Sequence, residues 1–442
     1  MSRPRAFTVA VLLAQSLALG AAATVAQSPE SAPAGSSVTA SPGSGGGLGQ
    51  SPGAVPSFGP VTLRTVEIPG TRLISMSPDG RWIVGAVPIT GFYRGRLCVY
   101  EVETLAQRSC ADLSGLGAGV RLADVTWSPD SRHLAFSEEA FKFLKDGDLW
   151  LMDAETGALT NLDDDHYQGV WAFKTIPGTI TEPVSPTFTI DGQTVTYSRT
   201  TIIDGELAGN DIAEVAITGG TPTRLVEVPE QQPGVLYFGK RWAPDGSRLY
   251  YSYAFSDPTD PNNGIWVVAA DGRGASQLVG ASPELGSAPA VAAISSNGDQ
   301  LLAWYPIRAS QATVDGGPVL ALIDTSTGSS RLLRSTSSDA APHAYVQMAA
   351  FSPDGSALLT VTDQTTPDHQ VLIGAATGDS SVPVVSQGLP FAGPPDQGVM
   401  PTWASNGTVF IPGGPGLDTG TILTLPGSSV TSIALPSPSP AA

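Results

Sequence analysis

Lysine is almost missing from this chain: Lys142, Lys145, Lys174 and Lys240 are the only four among 442 residues. Charged residues of all kinds make up 14%, against about a quarter in an ordinary soluble domain. With Lys+Arg 22 against Asp+Glu 40, the net charge is −18. No basic stripe exists, which excludes a nucleic-acid partner, because phosphate backbones are held by Lys and Arg. Cysteine occurs only twice, too seldom for a small disulfide framework or a cysteine-built metal site. The four histidines, His133, His166, His343 and His369, share no metal-ligand spacing. No strand-to-helix Gly-x-Ser-x-Gly elbow occurs, which removes an α/β-hydrolase reading. What is plentiful is Gly 50 and Pro 38, together with 41% hydrophobic residues, enough for a real core.

The chain opens like an export signal. Arg3 and Arg5 precede a mainly apolar, uncharged run from Ala6 to Ala26, and Thr24-Val25-Ala26 offers small residues for cleavage before Gln27. Residues 1–26 are therefore read as a cleaved signal peptide and the protein as secreted or extracytoplasmic. The competing reading is an uncleaved membrane anchor, since about 20 apolar residues can span a bilayer. Residues 27–60 are mostly Ser, Pro, Gly and Ala, including Gly45-Gly46-Gly47, and read as a disordered linker. Residues 436–442 form a similar short tail.

Between these segments one unit repeats. Ser77-Pro78-Asp79-Gly80 recurs as Ser128-Pro129-Asp130-Ser131 and Ser352-Pro353-Asp354-Gly355. Looser copies are Thr189-Ile190-Asp191-Gly192, Ala243-Pro244-Asp245-Gly246, Ser295-Ser296-Asn297-Gly298 and Ala404-Ser405-Asn406-Gly407. Successive starts lie between 51 and 61 residues apart. A large apolar residue precedes each turn: Met76, Trp127, Phe188, Trp242, Ile294, Phe351 and Trp403. After it come a β-rich run, a variable loop, a second run, a tight turn and a last short strand. Four strands per unit, repeated seven times, predict an all-β, seven-bladed β-propeller over residues 61–435, with the large apolar residue wedged between neighbouring sheets. Either Val61–Pro69 or Val430–Leu435 is available to complete the last blade.

These turns, their wedges and the run Asp148-Leu149-Trp150-Leu151-Met152-Asp153 resemble the WD-repeat-like propeller repeats of TolB. They are also similar to the amino-terminal propellers of dipeptidyl-peptidase-IV-type proteins, here without the hydrolase domain. The resemblance implies the fold, and a fold of this kind hosts many functions. TolB proteins carry six blades and a further domain, whereas seven turns are present here. Asp153-Ala154-Glu155-Thr156-Gly157 and Asp324-Thr325-Ser326-Thr327-Gly328 are similar to turns of quinoprotein propellers, but no Trp follows either turn, so no cofactor is expected.

Cys98 and Cys110 flank a predicted hairpin. A turn centred on Thr104 sets Tyr100 opposite Arg108 and Cys98 opposite Cys110, within disulfide range for an exported chain. The alternative is a pair of buried thiols.

Function is expected on the face carrying the variable loops, where a rigid scaffold displays recognition residues. The binding candidates are Tyr93, Arg94, His166, Tyr167, Trp171, Lys174, Tyr253, Tyr305 and Arg308, aromatics with nearby cations suited to a protein, peptide or cell-envelope glycan. Asp163-Asp164-Asp165-His166 begins a long inter-blade loop running to about Pro183. Asp163 and Asp165 there, with Asp257 and Asp260 in a second oxygen-rich loop, are the metal candidates, weighed against plain solvated loops. The reading is an exported, non-catalytic, monomeric binding or scaffold protein. The alternative is a propeller lyase or glycoside hydrolase with acid–base groups among Asp163, Asp165, His166 and Glu182.

Overall fold

The computed structural model describes residues 61–89, 92–116, 120, 124–138, 147–166, 178–204, 206–227, 239–253, 259–282, 288–305, 319–333, 346–362, 371–376, 381–385, 400–413 and 419–425. The chain divides into Met1–Ala54 and Val55–Ala442, and every described residue belongs to the second unit. The signal-like segment, the linker and the terminal tail lie outside the described residues. Among those described there is no α-helix, and hence none long and apolar enough to cross a membrane.

Among the described residues, twenty-eight strands form seven antiparallel sheets of four. The fold is the seven-bladed propeller that the repeat implies. Blade 1 runs Arg72–Met76, Trp82–Ile89, Phe92–Glu101 and Gln107–Asp112, from the innermost strand outward. Blade 2 is Thr126–Trp127, His133–Ser137, Leu149–Asp153 and Leu159–Asn161; blade 3 is Thr179–Phe188, Thr194–Ile203, Glu206–Ala216 and Thr223–Glu227. Blades 4, 5 and 6 begin at Lys240–Trp242, Ala290–Ile294 and Val346–Phe351 and repeat the same order. Blade 7 takes Thr402–Trp403, Thr408–Pro412 and Thr419–Thr424 from the end of the ring and its outermost strand, Thr62–Glu67, from the beginning. The register runs from Thr62 opposite Thr424 to Glu67 opposite Thr419. Of the two segments available for closure, the amino-terminal one fills the place.

The repeated turn joins the first strand of each blade to the second, and its residue types follow from its hydrogen bonds. Ser77 Oγ donates to Asp79 Oδ1 at 2.6 Å and accepts from Trp82 N at 3.0 Å, while Asp79 Oδ1 accepts from Arg81 N at 3.0 Å. The same pattern recurs at Ser128–Asp130, Thr189–Asp191 and Ser352–Asp354. Six copies place Gly fourth, at φ between 69° and 80°, and the seventh places Ser131 there at 63°.

Mutual burial holds the ring together, because a lone four-stranded sheet exposes two apolar faces. Met76, Trp127, Phe188, Trp242, Phe351 and Trp403 are buried and Ile294 is half-buried. Leu149, Leu151 and Leu162 of blade 2 pack on Phe188, Val195 and Tyr197 of blade 3, and Leu359 and Ile373 of blade 6 pack on Trp403, Val409 and Leu423 of blade 7.

Cys98 and Cys110 are directly opposite and joined as a disulfide. Tyr100 pairs with Gln107, not Arg108, because the strands bulge between Val99 and Tyr100. The reason is the turn: Leu105 takes φ 57° and donates its N–H to Glu101 O, which moves the centre half a residue from Thr104. The long loop after Asp163 also ends earlier than expected. Pro183 lies inside the innermost strand of blade 3, opposite Arg199, at a sheet edge where its missing N–H costs nothing.

Candidate functional site

Alternating strand direction sorts the connections by end. The repeated turns and the tight turns such as Glu155-Thr156-Gly157 lie at one end of every blade, and the longer, more varied loops lie at the other. At the long-loop end of blades 2 and 3 the chain brings together acids from five strand ends. Asp124 precedes the first strand of blade 2, Glu138 follows the second, Asp148 precedes the third, Asp163 and Asp165 follow the fourth, and Glu182 sits near the start of blade 3.

Most of these acids are buried. Asp124, Glu138, Asp148 and Asp163 are 7%, 2%, 5% and 7% exposed, and Glu182 is fully enclosed. Glu138 Oε1 accepts the Trp150 indole N–H at 2.9 Å. Asp124 ties the blades: its Oδ2 accepts from Ser137 Oγ at 3.2 Å and from Ser185 N at 3.2 Å. Asp165 Oδ2 accepts from Thr181 N at 2.6 Å, and Thr181 Oγ1 reaches Asp163 Oδ2 at 3.5 Å. Arg199 closes on Asp211 through Nε–Oδ1 at 3.0 Å and Nη2–Oδ2 at 2.8 Å.

Burial in like-charged company shifts protonation. The Asp148 carboxyl is pushed up to about 7, first by desolvation and then by the charge of Glu138. Asp163 rises to about 6, again mainly by desolvation, although Tyr197 and Arg199 pull the other way. Arg199 stays firmly charged, since its bond and attraction to Asp211 outweigh the desolvation that opposes it. Buried carboxyls that titrate near neutrality are the groups that acid–base chemistry or charge recognition would use.

The sequence-predicted residues fall into three groups. Asp163 and Asp165 are in this cluster, with His166 at its exposed edge, where Nδ1 lies 3.1 Å from Asp164 Oδ2. Tyr253 and Tyr305 are buried, 1% and 2% exposed. Tyr253 packs edge-on against Tyr251 and Trp266, with ring centres 5.3 Å and 5.6 Å away, so its ring belongs to the core between blades 3 and 4, with Ile212, Val226 and Trp242. Asp260 caps its own turn through Asn262 N at 2.8 Å. Tyr93 and Arg94 lie on the third strand of blade 1, with side chains outside the described residues. Tyr167, Trp171, Lys174, Asp257 and Arg308 lie outside the described residues altogether. Among the described residues no three His, Cys, Asp or Glu side chains come together as a metal site.

Asp124, Glu138, Asp148, Tyr197 and Arg199 were not legible as site residues. The available signal was an acid at each end of an apolar strand, as in Asp148 before Leu149, where a core strand meets solvent.

No family model matches the chain, and no curated protein matches it. Solved structures do. An oligogalacturonate lyase from Vibrio parahaemolyticus is 12% identical, covers 86% of this chain and 100% of its own, and superposes with a TM-score of 0.53. The Swd1 β-propeller domain from Myceliophteria thermophila is 12% identical, covering 82% and 99%, with a TM-score of 0.50. TolB from Acinetobacter baumannii is 15% identical, covering 72% of this chain and 64% of its own, with a TM-score of 0.41. The fold is a β-propeller, the architecture of the lyase and of the Swd1 domain. At these identities the likeness concerns the propeller's architecture, and its chemistry rests on its own residues.

Proposed function

We propose that this propeller is an exported, non-catalytic binding protein that takes a polypeptide partner at its long-loop end. The observation that carries this reading is the gathering of acids from five strand ends of blades 2 and 3, on a scaffold whose opposite end is spent on hydrogen-bonded turns. A rigid ring with variable loops is suited to recognition. The disulfide fits an oxidising, extracytoplasmic setting. A polyanionic sugar of the kind named for the oligogalacturonate lyase is disfavoured here, since like charge directly at the mouth would repel it. The test is a peptide and glycan array probed with the wild-type chain and with Trp171→Ala. A ligand class retained by the wild type and lost in the variant supports the reading, and identical retention of everything removes the Trp171 loop from it.

A second reading is supported by one observation. Asp148 at about 7 and Asp163 at about 6 lie where general acids work. It makes the protein a propeller lyase or glycoside hydrolase, and turnover of a neutral or cationic glycan that vanishes in both Asp148→Asn and Asp163→Asn would establish it over binding.

A further inference from the structure

The first strands of neighbouring blades touch one another from blade 2 to blade 7, so their free edges line the space at the centre of the ring. One tier of that lining follows from the repeat. The residue before the wedge is Ser75, Thr126, Thr187, Ala293, Ala350 or Thr402 in six blades, none larger than threonine, and Arg241 in blade 4. Thr402 shows where this position points, since its Oγ1 accepts from Met76 N of blade 1 at 3.5 Å. Ser77 N bonds Trp82 O, so by antiparallel alternation Met76 N is turned toward the free inner edge. Arg241 reaches the same kind of edge. Ala243 N bonds Arg248 O, so Arg241 is bonded to the second strand, Arg248–Tyr253, and the Lys240 carbonyl points inward. Arg241 Nη1 donates to that carbonyl at 2.7 Å, which holds the guanidinium at the inner edge. Lys240 and Trp242 face blade 3 instead, where they bond Ser198 and Thr196.

The Arg241 guanidinium is half-buried, and desolvation alone draws it down to about 10, with no acid among the described residues holding it up. In a chain of net charge −18 that isolation is unusual, because an enclosed cation without a counterion is costly. We propose that Arg241 is an anion site, holding a singly charged carboxylate in the space enclosed by the first strands, near the repeated turns. The proposal goes beyond the binding reading and does not rest on it, since the acidic corner lies at the opposite end of the blades. A guanidinium has more donors than the one spent on Lys240, and its planar fork matches the two oxygens of a carboxylate. The small residues at the other six places leave room for the ligand. Asp79, Asp130, Asp191, Asp245 and Asp354 stand in the turns around this end, so a doubly charged phosphate meets more repulsion on entry than a carboxylate does.

The full chain is titrated calorimetrically, at constant ionic strength, with acetate, inorganic phosphate and alanine tripeptides whose carboxyl end is free or amidated. A carboxylate binds saturably at a single site, and phosphate binds severalfold more weakly. The affinity falls about tenfold in Arg241→Met, which keeps the stem and loses the charge, and carboxylate raises the melting temperature of the wild type but not of this variant. Arg248→Gln removes an exposed cation of the same blade and changes nothing. Equal losses in Arg241→Met and Arg248→Gln, an unaltered affinity in Arg241→Met, phosphate bound as tightly as acetate, or no saturable binding of any probe overturn the proposal. Where Arg241→Met does not fold, Arg241→Lys decides: it keeps the charge without the planar fork, so the affinity falls severalfold, and an unaltered affinity overturns the site. Acetate bound with both tripeptides excluded assigns a small free acid. A tripeptide bound more tightly than acetate, and only with its carboxyl free, assigns a chain end. None of these variants touches the long-loop end, so failure here leaves the binding reading standing.

Discussion

The indole N–H of Trp242 donates to Thr196 Oγ1 at 3.0 Å across the boundary of blades 3 and 4, and the same hydroxyl reaches Glu214 Oε1 at 3.2 Å. The matching place in blade 1 is Val84, seven residues after Ser77 as Thr196 is seven after Thr189. Trp127 packs in the Val84 cluster with its indole N–H unpaired. One repeat thus has the acceptor and another lacks it. Thr196→Val should cost about 1–3 kcal/mol, because a buried donor is stranded. Val84→Thr should lie within about 0.5 kcal/mol of the wild type, as its new hydroxyl meets a waiting donor. Chemical denaturation of both variants checks this, and a Val84→Thr loss as large as that of Thr196→Val would show that the two places are not equivalent.

The wedges themselves carry more. Trp127 and Trp242 are 9% and 5% exposed, and each fills the space between two sheets. Replacement by Ala removes the buried ring and leaves a cavity, with an expected loss of about 3–5 kcal/mol for either variant. Thermal melts would detect this as a large downward shift, and an unchanged melting temperature would remove the tryptophan from the inter-blade core.

Ser131 sets a strain against a bond. It occupies the left-handed position that Gly fills in the other six turns, while its Oγ accepts from Asp79 N at 3.1 Å in the turn of the preceding blade. Ser131→Gly gains backbone freedom from strain and loses the bond, so the two effects of about 1 kcal/mol each nearly cancel. Ser131→Ala keeps the strain and loses the bond, and should be less stable than Ser131→Gly by about 1 kcal/mol. Equal stability of the two would mean that φ at this position is not costly.

The ring and its wedges could be read from residues because each blade repeats one local solution. An Asp two places after a Ser closes the turn, and a large apolar residue before it fills the inter-blade gap. The register at Tyr100 could not be read, since a bulge adds one residue without changing the residue types around it. The acidic corner was half visible. Asp163 and Asp165 stand together in sequence, but Asp148 and Tyr197 reach them only through strand direction and inter-blade packing, which no local pattern encodes.

Asp148 gives the pH dependence its sign. Its carboxyl is raised from 3.8 to about 7 by burial, with Glu138, Asp165 and Asp164 adding repulsion and Asn161 relieving it. The folded protein therefore holds a proton that the unfolded chain has released, and stability falls as pH rises from about 4 to about 7. Asp148→Asn should abolish that part of the slope and stabilise the protein at neutral pH by about 1–2 kcal/mol, since the asparagine amide keeps part of the cost of burying a polar group. Urea midpoints at a series of pH values measure this, and a wild-type midpoint that climbs over the same range with no change on substitution would contradict the assignment.

The closing strand is held by little. Of Thr62–Glu67 only Val66 is buried, packed with Leu73, Met76, Phe410 and Ile422, and Arg64 reaches from it to the Val102 and Glu103 carbonyls of blade 1. Because this strand joins the two ends of the ring, its loss frees the edge of Thr419–Thr424 and uncovers the core between blades 7 and 1. Val66→Ala should cost about 2 kcal/mol through lost burial. Arg64→Ala should cost less, about 1 kcal/mol, since its bonds lie partly in solvent. Limited proteolysis distinguishes local from global effects: beyond any cut in residues 27–60 common to both proteins, the next cut in Val66→Ala should fall within residues 61–70, ahead of any cut in blades 2 to 6. A next cut elsewhere, at an unchanged rate near the amino-terminal strand, would mean that the ring does not depend on this closure.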